Sequence, residues 1–314
     1  MSGQLSAESA VLSSPPAAVD GPAIGAIMSG QLLNPVEEPM SFVDGLASLL
    51  FVPGSRPDRF GKALASGADA VCIDLEDGVA DGAKAEARAA ALAALAHRTP
   101  RLCLRINGLR TRTGLEDLVA LAASGCAPEL LLVPKVESTA DVEIVAAVAA
   151  GSAIVPLIET PRGLAAAPGI AAAPGVAAMM FGGGDLAAEL GVRVEWDALR
   201  TARGLFILAC AHSGIVAIDV PYLVLEDSAG LTAEAQAAKA LGFTAKAAIH
   251  PAQIAPIHAA LRPSAAEIAE AREAQHAFAS AGGGAIRFNG RLLDEPIMRR
   301  YRRVLAMHSR QAEE

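Results

Sequence analysis

Aromatic residues are few: one tryptophan, two tyrosines and eight phenylalanines in 314 residues. A chain that is nevertheless 53% hydrophobic and only 19% charged must build its core from Ala, Val, Leu and Ile, and that composition excludes disorder over the whole length. Cysteine is sparse as well. Cys72, Cys103, Cys126 and Cys210 are too far apart for a CxxC metal knuckle and too few for a disulfide scaffold, which fits a reducing cytoplasm. Positive charge is also short. At a formal net charge of -8 the chain lacks the basic face that binding nucleic acid requires, so an anionic ligand must be met by a local cluster. No Lys or Arg precedes Arg56, which leaves the opening segment without the basic start of a signal peptide or the Arg-rich face of a transit peptide. Residues 1–45 are expected to be a disordered tail. Mean hydropathy is +0.38, but the longest uncharged stretch, Leu164 to Gly184, is interrupted by Pro168-Gly169 and Pro174-Gly175, which argues against a membrane span.

What is present is regular. From Ser48 onward, short runs rich in Val, Ile and Leu each end in a Gly, Pro or Asp signal and give way to an Ala-rich helical stretch. The runs are SLLFVPG (48–54), AVCIDLED (70–77), RLCLRIN (101–107), LLLVPKVE (130–137), AIVPLIET (153–160), AAMMFGGGD (177–185), VAIDVP (216–221) and AKAAIHP (245–251). Their starts lie roughly 22 to 39 residues apart, the length of a βα unit, which a parallel strand needs as its crossover. The expected fold is α/β, a (β/α)8 TIM barrel over residues 46–280. A doubly wound open sheet competes, but it would carry a Gly-rich dinucleotide fingerprint after its first strand, and Pro53-Gly54-Ser55-Arg56 is not one. Beyond the barrel, Ala281-Gly-Gly-Gly284 reads as a joint and Asn289-Gly290 as a type I′ hairpin turn. A last amphipathic helix follows, with Ile297, Tyr301 and Val304 on its apolar side. This 281–314 extension is too small for a core of its own and is expected to pack on a neighbouring subunit of a homo-oligomer.

Side chains alternate faces along a strand, so parity sorts the polar residues. In the second run Cys72, Asp74 and Glu76 oppose Val71, Ile73 and Leu75; in the third, Cys103, Arg105 and Asn107 oppose Leu102, Leu104 and Ile106. Turning the apolar sets toward the helices turns the polar sets into the barrel. The same rule gathers Lys135, Glu137, Glu159, Asp185, Asp219 and His250 at the C-terminal rim, where barrel enzymes carry their chemistry. Glu159 and Asp185 end adjacent strands, and two such carboxylates repel unless one is protonated or a cation lies between them. With only oxygen donors nearby, the favoured ion is Mg2+ or Mn2+. Each also has a structural reading, Glu159 before the helix start Thr160-Pro161 and Asp185 as a helix cap. An inward Arg105 among carboxylates stays charged and offers a planar fork to a substrate carboxylate.

SLLFVPGSRPDRF, IDLEDGV, LRING, LVPKVE, LIETPRG, FGGGDLAAELG and AAIHPAQI occur in that order. The set, within a match running from about Ser48 to Leu305, resembles the citrate lyase β-subunit-like branch of the HpcH/HpaI aldolase family. The resemblance implies a Mg2+-dependent carbon-carbon lyase that cleaves a 3-hydroxyacyl-CoA thioester of the citramalyl-CoA, malyl-CoA or citryl-CoA type into acetyl-CoA and a 2-oxo acid, as a homotrimer or hexamer. It further implies that Glu159 and Asp185 ligate the metal, that Arg105 contacts substrate, and that Asp74, Glu76 and Asp77 organise Arg105 and the metal's waters. Gly184 and Pro221 complete the expected substrate site. Asp294, equally readable as a helix cap, matches an Asp that reaches a neighbouring subunit's site as a catalytic residue. Coenzyme A phosphates are expected at Gly54, Arg56, Arg59 and Lys62, at a helix N-terminus. Two positions depart from the family pattern: Ala47 stands where many relatives have Arg, and Gly184 where many have Glu. The rival readings are a Schiff-base aldolase using Lys135 or Lys246, a metal-dependent aldolase on free hydroxy-2-oxo acids, a malyl-CoA-type thioesterase, and a non-catalytic subunit of a lyase complex.

Overall fold

The computed structural model describes residues 42–312. The tail expected up to residue 45 lies outside the described residues as far as 41, whereas Phe42–Gly45 forms a 3-10 turn with Val43 buried. Eight parallel strands then close into a barrel: β1 (Ser48–Pro53), β2 (Ala70–Asp74), β3 (Leu102–Arg105), β4 (Leu130–Val133), β5 (Ala153–Ile158), β6 (Ala178–Phe181), β7 (Val216–Asp219) and β8 (Ala245–Ala248). Closure is made by β1 against β8, with Ser48 beside Lys246 and Leu50 beside Ala248. The helical layer is α1 (Phe60–Leu64), α2 (Lys84–Ala96), α3 (Arg112–Ser124), α4 (Thr139–Val148), α5 (Pro161–Ala171), α6 (Gly183–Leu190), α7 (Trp196–Ser213), α8 (Ser228–Leu241), α9 (Ile254–Leu261) and α10 (Ala265–Ser280). The fold is therefore the (β/α)8 barrel that the repeat of apolar runs indicates.

Local chemistry sets the helix boundaries. Thr111, Ser138, Thr160, Asp227 and Ser264 each precede a helix and accept the backbone N–H three residues on, which satisfies one of the orphan donors of the first turn. Gly125, Gly191 and Gly214 end α3, α6 and α7 in the left-handed conformation, which strains any residue bearing a Cβ. The barrel interior alternates large and small residues, Leu132, Leu157 and Met180 against Ala70, Ala178 and Ala245, which fills a narrow cylinder without rings. Three phenylalanines instead pack between strands and helices. Phe206 lies edge-on to Phe181 at 5.6 Å and stacks on Phe243 at 5.7 Å.

Two polar residues, Asp219 and Asn107, face other ways than parity predicts. Asp219 and Lys246 point outward, because Ile218, Ala245 and Ala247 take the interior positions. Asp219 is 0% exposed and bonds Arg203 of α7 and Lys246. This removes Lys246 from the cavity and with it the Schiff-base reading at that residue. Asn107 lies beyond the end of β3, where alternation no longer holds, and its amide donates to Asp117 of α3. The strands are shorter than the runs that announce them, and the surplus residues form the rim loops. After β8, the hairpin β9 (Ile286–Phe288) and β10 (Arg291–Leu293) turns at Asn289 and Gly290, at φ 47° and 78°. Helix α11 (Glu295–Ala312) follows. Within one chain, Leu293 and Met298 are buried with Phe278 of α10.

Candidate active site

Asp74 ends β2 and anchors the rim. Its Oδ1 accepts from the N–H of Glu76 at 2.9 Å and its Oδ2 from that of Gly78 at 2.9 Å. A Cβ at residue 78 would stand 2.6 Å from Asp74 Oδ2, so the turn needs glycine. Lys84 Nζ ties the same loop down by donating to the carbonyls of Leu75 and Glu76 and to Asn107 Oδ1. Arg105, at the end of β3, grips Asp74 in a bidentate pair, Nε to Oδ1 at 2.7 Å and Nη2 to Oδ2 at 2.8 Å. Its Nη1 lies 2.9 Å from Glu76 Oε2 and 3.4 Å from Asp77 Oδ2, and its guanidinium sits 5.0 Å above the Phe51 ring. The fork expected to be open to a substrate carboxylate is thus closed on Asp74. Burial opposes the charge of Arg105, but the hydrogen bonds and charge of Asp74 outweigh it and hold the guanidinium well above its ordinary pKa.

Across the mouth, Glu159 follows β5 and is 5% exposed. Its Oε2 accepts from the N–H of Lys135 at 2.9 Å, and its Oε1 accepts from none of the described residues. A Cβ at residue 182 would fall 2.0 Å from Glu159 Cγ, which is why the run after β6 must begin with Gly182. Asp185, expected at a strand end, is instead the third residue of α6; the chain bends at Gly182 before reaching it. Lys135 follows β4 with φ 54°, a left-handed conformation that costs a side chain bearing Cβ roughly 1–2 kcal/mol. Its ammonium bridges Asp185 Oδ2 at 2.9 Å and Glu76 Oε1 at 3.0 Å.

Asp74, Glu76, Asp77, Glu159 and Asp185 therefore share the rim with two cations, Arg105 and Lys135. Burial, then the charge of Glu76, pushes the Glu159 carboxyl up to about 8. Burial likewise raises Glu76, against the pull of Arg105. Among the described residues no group of three or more His, Cys, Asp or Glu is arranged as a metal cage. Glu159 and Asp185 instead offer two carboxylates, with Glu159 Oε1 accepting no hydrogen bond from the described residues, which suits Mg2+, an ion that takes one or two protein carboxylates and leaves other positions to water and substrate. In metal-free protein the Glu159 shift gives a signed expectation. Between about pH 4.5 and 8 the folded state keeps a proton that the unfolded chain has released, so stability falls as pH rises through that window, by up to ~5 kcal/mol. Denaturant unfolding in EDTA at several pH values measures it, and a flat profile would contradict it.

Asp74, Asp77, Arg105, Glu159, Gly184, Asp185 and Pro221 line one cleft of about 410 Å3, with Glu76 behind it through Arg105 and Lys135. Arg59 and Lys62 line an adjoining pocket of about 290 Å3 with His250. The N–H of Gly54 is given to the Asp74 carbonyl at 2.8 Å rather than to the cleft, and a Cβ there would meet Leu75 Cδ2 at 2.8 Å. Arg56 is paired with Asp58 at 2.7 Å. Asp294 lies outside the cleft and caps α11, its Oδ1 accepting the N–H of Ile297 at 3.2 Å. Phe51, Gly78 and Gly182 are not among the expected site residues, and Lys135 is expected at the rim without its contacts to Glu76, Glu159 and Asp185. Their signals lay inside the quoted runs, in the parity of Phe51 with Leu49 and in the glycines after Phe181.

Residues 47–251 match the family model for HpcH/HpaI aldolase/citrate lyase. The chain is 36% identical over 269 residues to a (3S)-malyl-CoA thioesterase of Cereibacter sphaeroides, covering 82% of this chain and 93% of that protein. It is 39% identical over 260 residues to a citrate lyase subunit beta-like protein of Mycobacterium tuberculosis, covering 79% and 90%. The structure of CitE from Mycobacterium tuberculosis in complex with magnesium, acetoacetate and coenzyme A superposes with a TM-score of 0.73 at 37% identity, covering 84% of this chain and 98% of that one. With the closed barrel and the acidic rim in the same chain, these matches make it a member of the HpcH/HpaI aldolase/citrate lyase family, in the citrate lyase β-subunit-like branch.

Proposed function

We propose that the protein is a Mg2+-dependent carbon-carbon lyase that cleaves a 3-hydroxyacyl-CoA of the malyl-CoA, citramalyl-CoA or citryl-CoA type into acetyl-CoA and a 2-oxo acid. The observation that carries this reading is one cleft with an all-oxygen edge, Glu159 and Asp185, opposite a buried guanidinium, Arg105. Glu159 and Asp185 would hold the ion, which when bound supplies Lewis acidity toward substrate oxygens. Arg105, immobilised by Asp74 and backed by Phe51, keeps its remaining N–H groups for the negative charge that grows on the thioester oxygen as the carbon-carbon bond breaks. Such a fixed donor contributes a few kcal/mol to the barrier. Arg59 and Lys62 in the adjoining pocket offer the cationic surface that the phosphates of coenzyme A need on an acidic protein. The proposal extends to a trimer or hexamer in which the 281–314 extension brings Asp294 to a neighbour's cleft as a proton carrier, and to work in the cytoplasm. Among the described residues no helix is long and apolar enough to cross a membrane.

Hydrolysis of a malyl-CoA-type thioester at the same site is the second reading, favoured by the likeness to the thioesterase. Incubation with Mg2+, acetyl-CoA and glyoxylate, pyruvate or oxaloacetate in turn, followed by mass detection, tests both. A thioester with the summed mass of acetyl-CoA and one acid is expected. In a parallel incubation with malyl-CoA alone, free CoA and malate with no 2-oxo acid would select hydrolysis, and no conversion of any thioester in either incubation would sink both readings.

A further inference from the structure

One residue touches three carboxylates at the rim. Lys135 gives its backbone N–H to Glu159 and its ammonium to Asp185 and Glu76, at 2.9, 2.9 and 3.0 Å. The backbone bond goes with the left-handed turn at φ 54°, so the strained conformation and the placing of Glu159 belong to the same residue. The side chain is 44% exposed, and the ammonium therefore has a path into solvent that leaves the barrel intact. Lys246 is the contrast. It also meets two carboxylates, Asp219 and Glu234, but its side chain is 0% exposed and its Nζ is further bonded to the Val220 carbonyl.

We propose that Lys135 is a positioning residue that acts as a resident counter-ion: its ammonium holds Asp185 and Glu76 together while no divalent ion is bound, and yields Asp185 to the ion when it arrives. The inference rests on the reading of Glu159 and Asp185 as the ion's ligands. An ammonium and a divalent cation in contact with the same carboxylate repel each other, and the repulsion is weakly screened beside buried groups. Lys135 thus sets two quantities in opposite directions. It keeps the metal-free carboxylate cluster together, and it lowers the affinity for the ion that replaces it.

Lys135→Met separates these effects, because it keeps the Cβ and the aliphatic stem while removing the charge. Calorimetric titration of the full chain with Mg2+ alone is expected to show binding about tenfold tighter in Lys135→Met than in the unchanged protein, with Lys135→Arg close to the latter. In EDTA, Lys135→Met is expected to melt at a lower temperature, and the deficit should shrink as Mg2+ is added. A purely structural lysine would give weaker or equal Mg2+ binding on removal, and that result in a folded variant overturns the proposal. If Lys135→Met does not fold, Lys135→Gln is read in the same way. Absence of Mg2+ binding by the unchanged protein would overturn the metal reading and this proposal together, whereas binding with no gain in the variant overturns this proposal alone.

Discussion

On the proposed metal-dependent reading, Glu159→Gln and Asp185→Asn are each expected to lower kcat/KM by ~10³-fold or more, equivalent to ~4 kcal/mol of lost transition-state stabilisation. The two variants differ in what they do to the fold. Glu159 is 5% exposed and its carboxyl is pushed up to about 8, so in metal-free protein near neutral pH the folded state already prefers an uncharged group at this position. A glutamine amide keeps the shape and an oxygen for the Lys135 N–H, and the variant is expected to melt in EDTA at or above the temperature of the unchanged protein. Asp185 has a side chain 44% exposed and contributes through its pair with Lys135. Exposed pairs are worth ~1 kcal/mol or less, so Asp185→Asn costs little stability. Steady-state kinetics across a Mg2+ titration, with melting curves in EDTA, check both halves. Full activity in both variants would remove the metal assignment, and a large loss of stability in Glu159→Gln would contradict the account of its burial.

Parity read Asp74 and Arg105 correctly because both residues end genuine strands whose alternate neighbours are large and apolar. It failed at Asp219, and gave no side for Lys246, for a reason built into barrels. A parallel strand is buried on both faces, so Val216 and Ile218 did not mark the helical side, and the alanines of AKAA marked neither. A sequence pattern cannot tell a cavity filled by Ala and Leu from a helical layer filled by the same residues. Asp185 escaped for another reason: the run continued in apolar and glycine residues past the end of β6, and only the bend at Gly182 shows where pairing stops. Lys135 lay within the quoted LVPKVE run, but its left-handed turn and its three carboxylate contacts depend on elements far away in sequence, which local propensity does not report.

Asp219→Asn is expected to destabilise the protein by ~3–5 kcal/mol, the cost of leaving buried charges without their partner. Arg203 Nε and Lys246 Nζ meet opposite oxygens of Asp219 at 3.0 and 2.7 Å, and all three side chains are buried. Arg203 is further held between Phe181 and Trp196, 5.0 and 4.7 Å from the ring centroids, so it cannot swing out to water when its carboxylate is neutralised. For a domain of this size such a loss lowers Tm by roughly 10 °C. The damage should reach the cleft, because Lys246 Nζ also holds the Val220 carbonyl at 2.8 Å, next to Pro221 in the cleft wall. The double variant Asp219→Asn, Lys246→Met removes one charge of each sign and leaves Arg203 and Glu234 to balance. It should therefore lose less stability than the two single variants summed, as residues within one network do. Denaturant unfolding of the three variants measures that coupling. Strict additivity, or a loss below ~1 kcal/mol in Asp219→Asn, would mean that water already enters the cluster and that its charges are not buried as a unit.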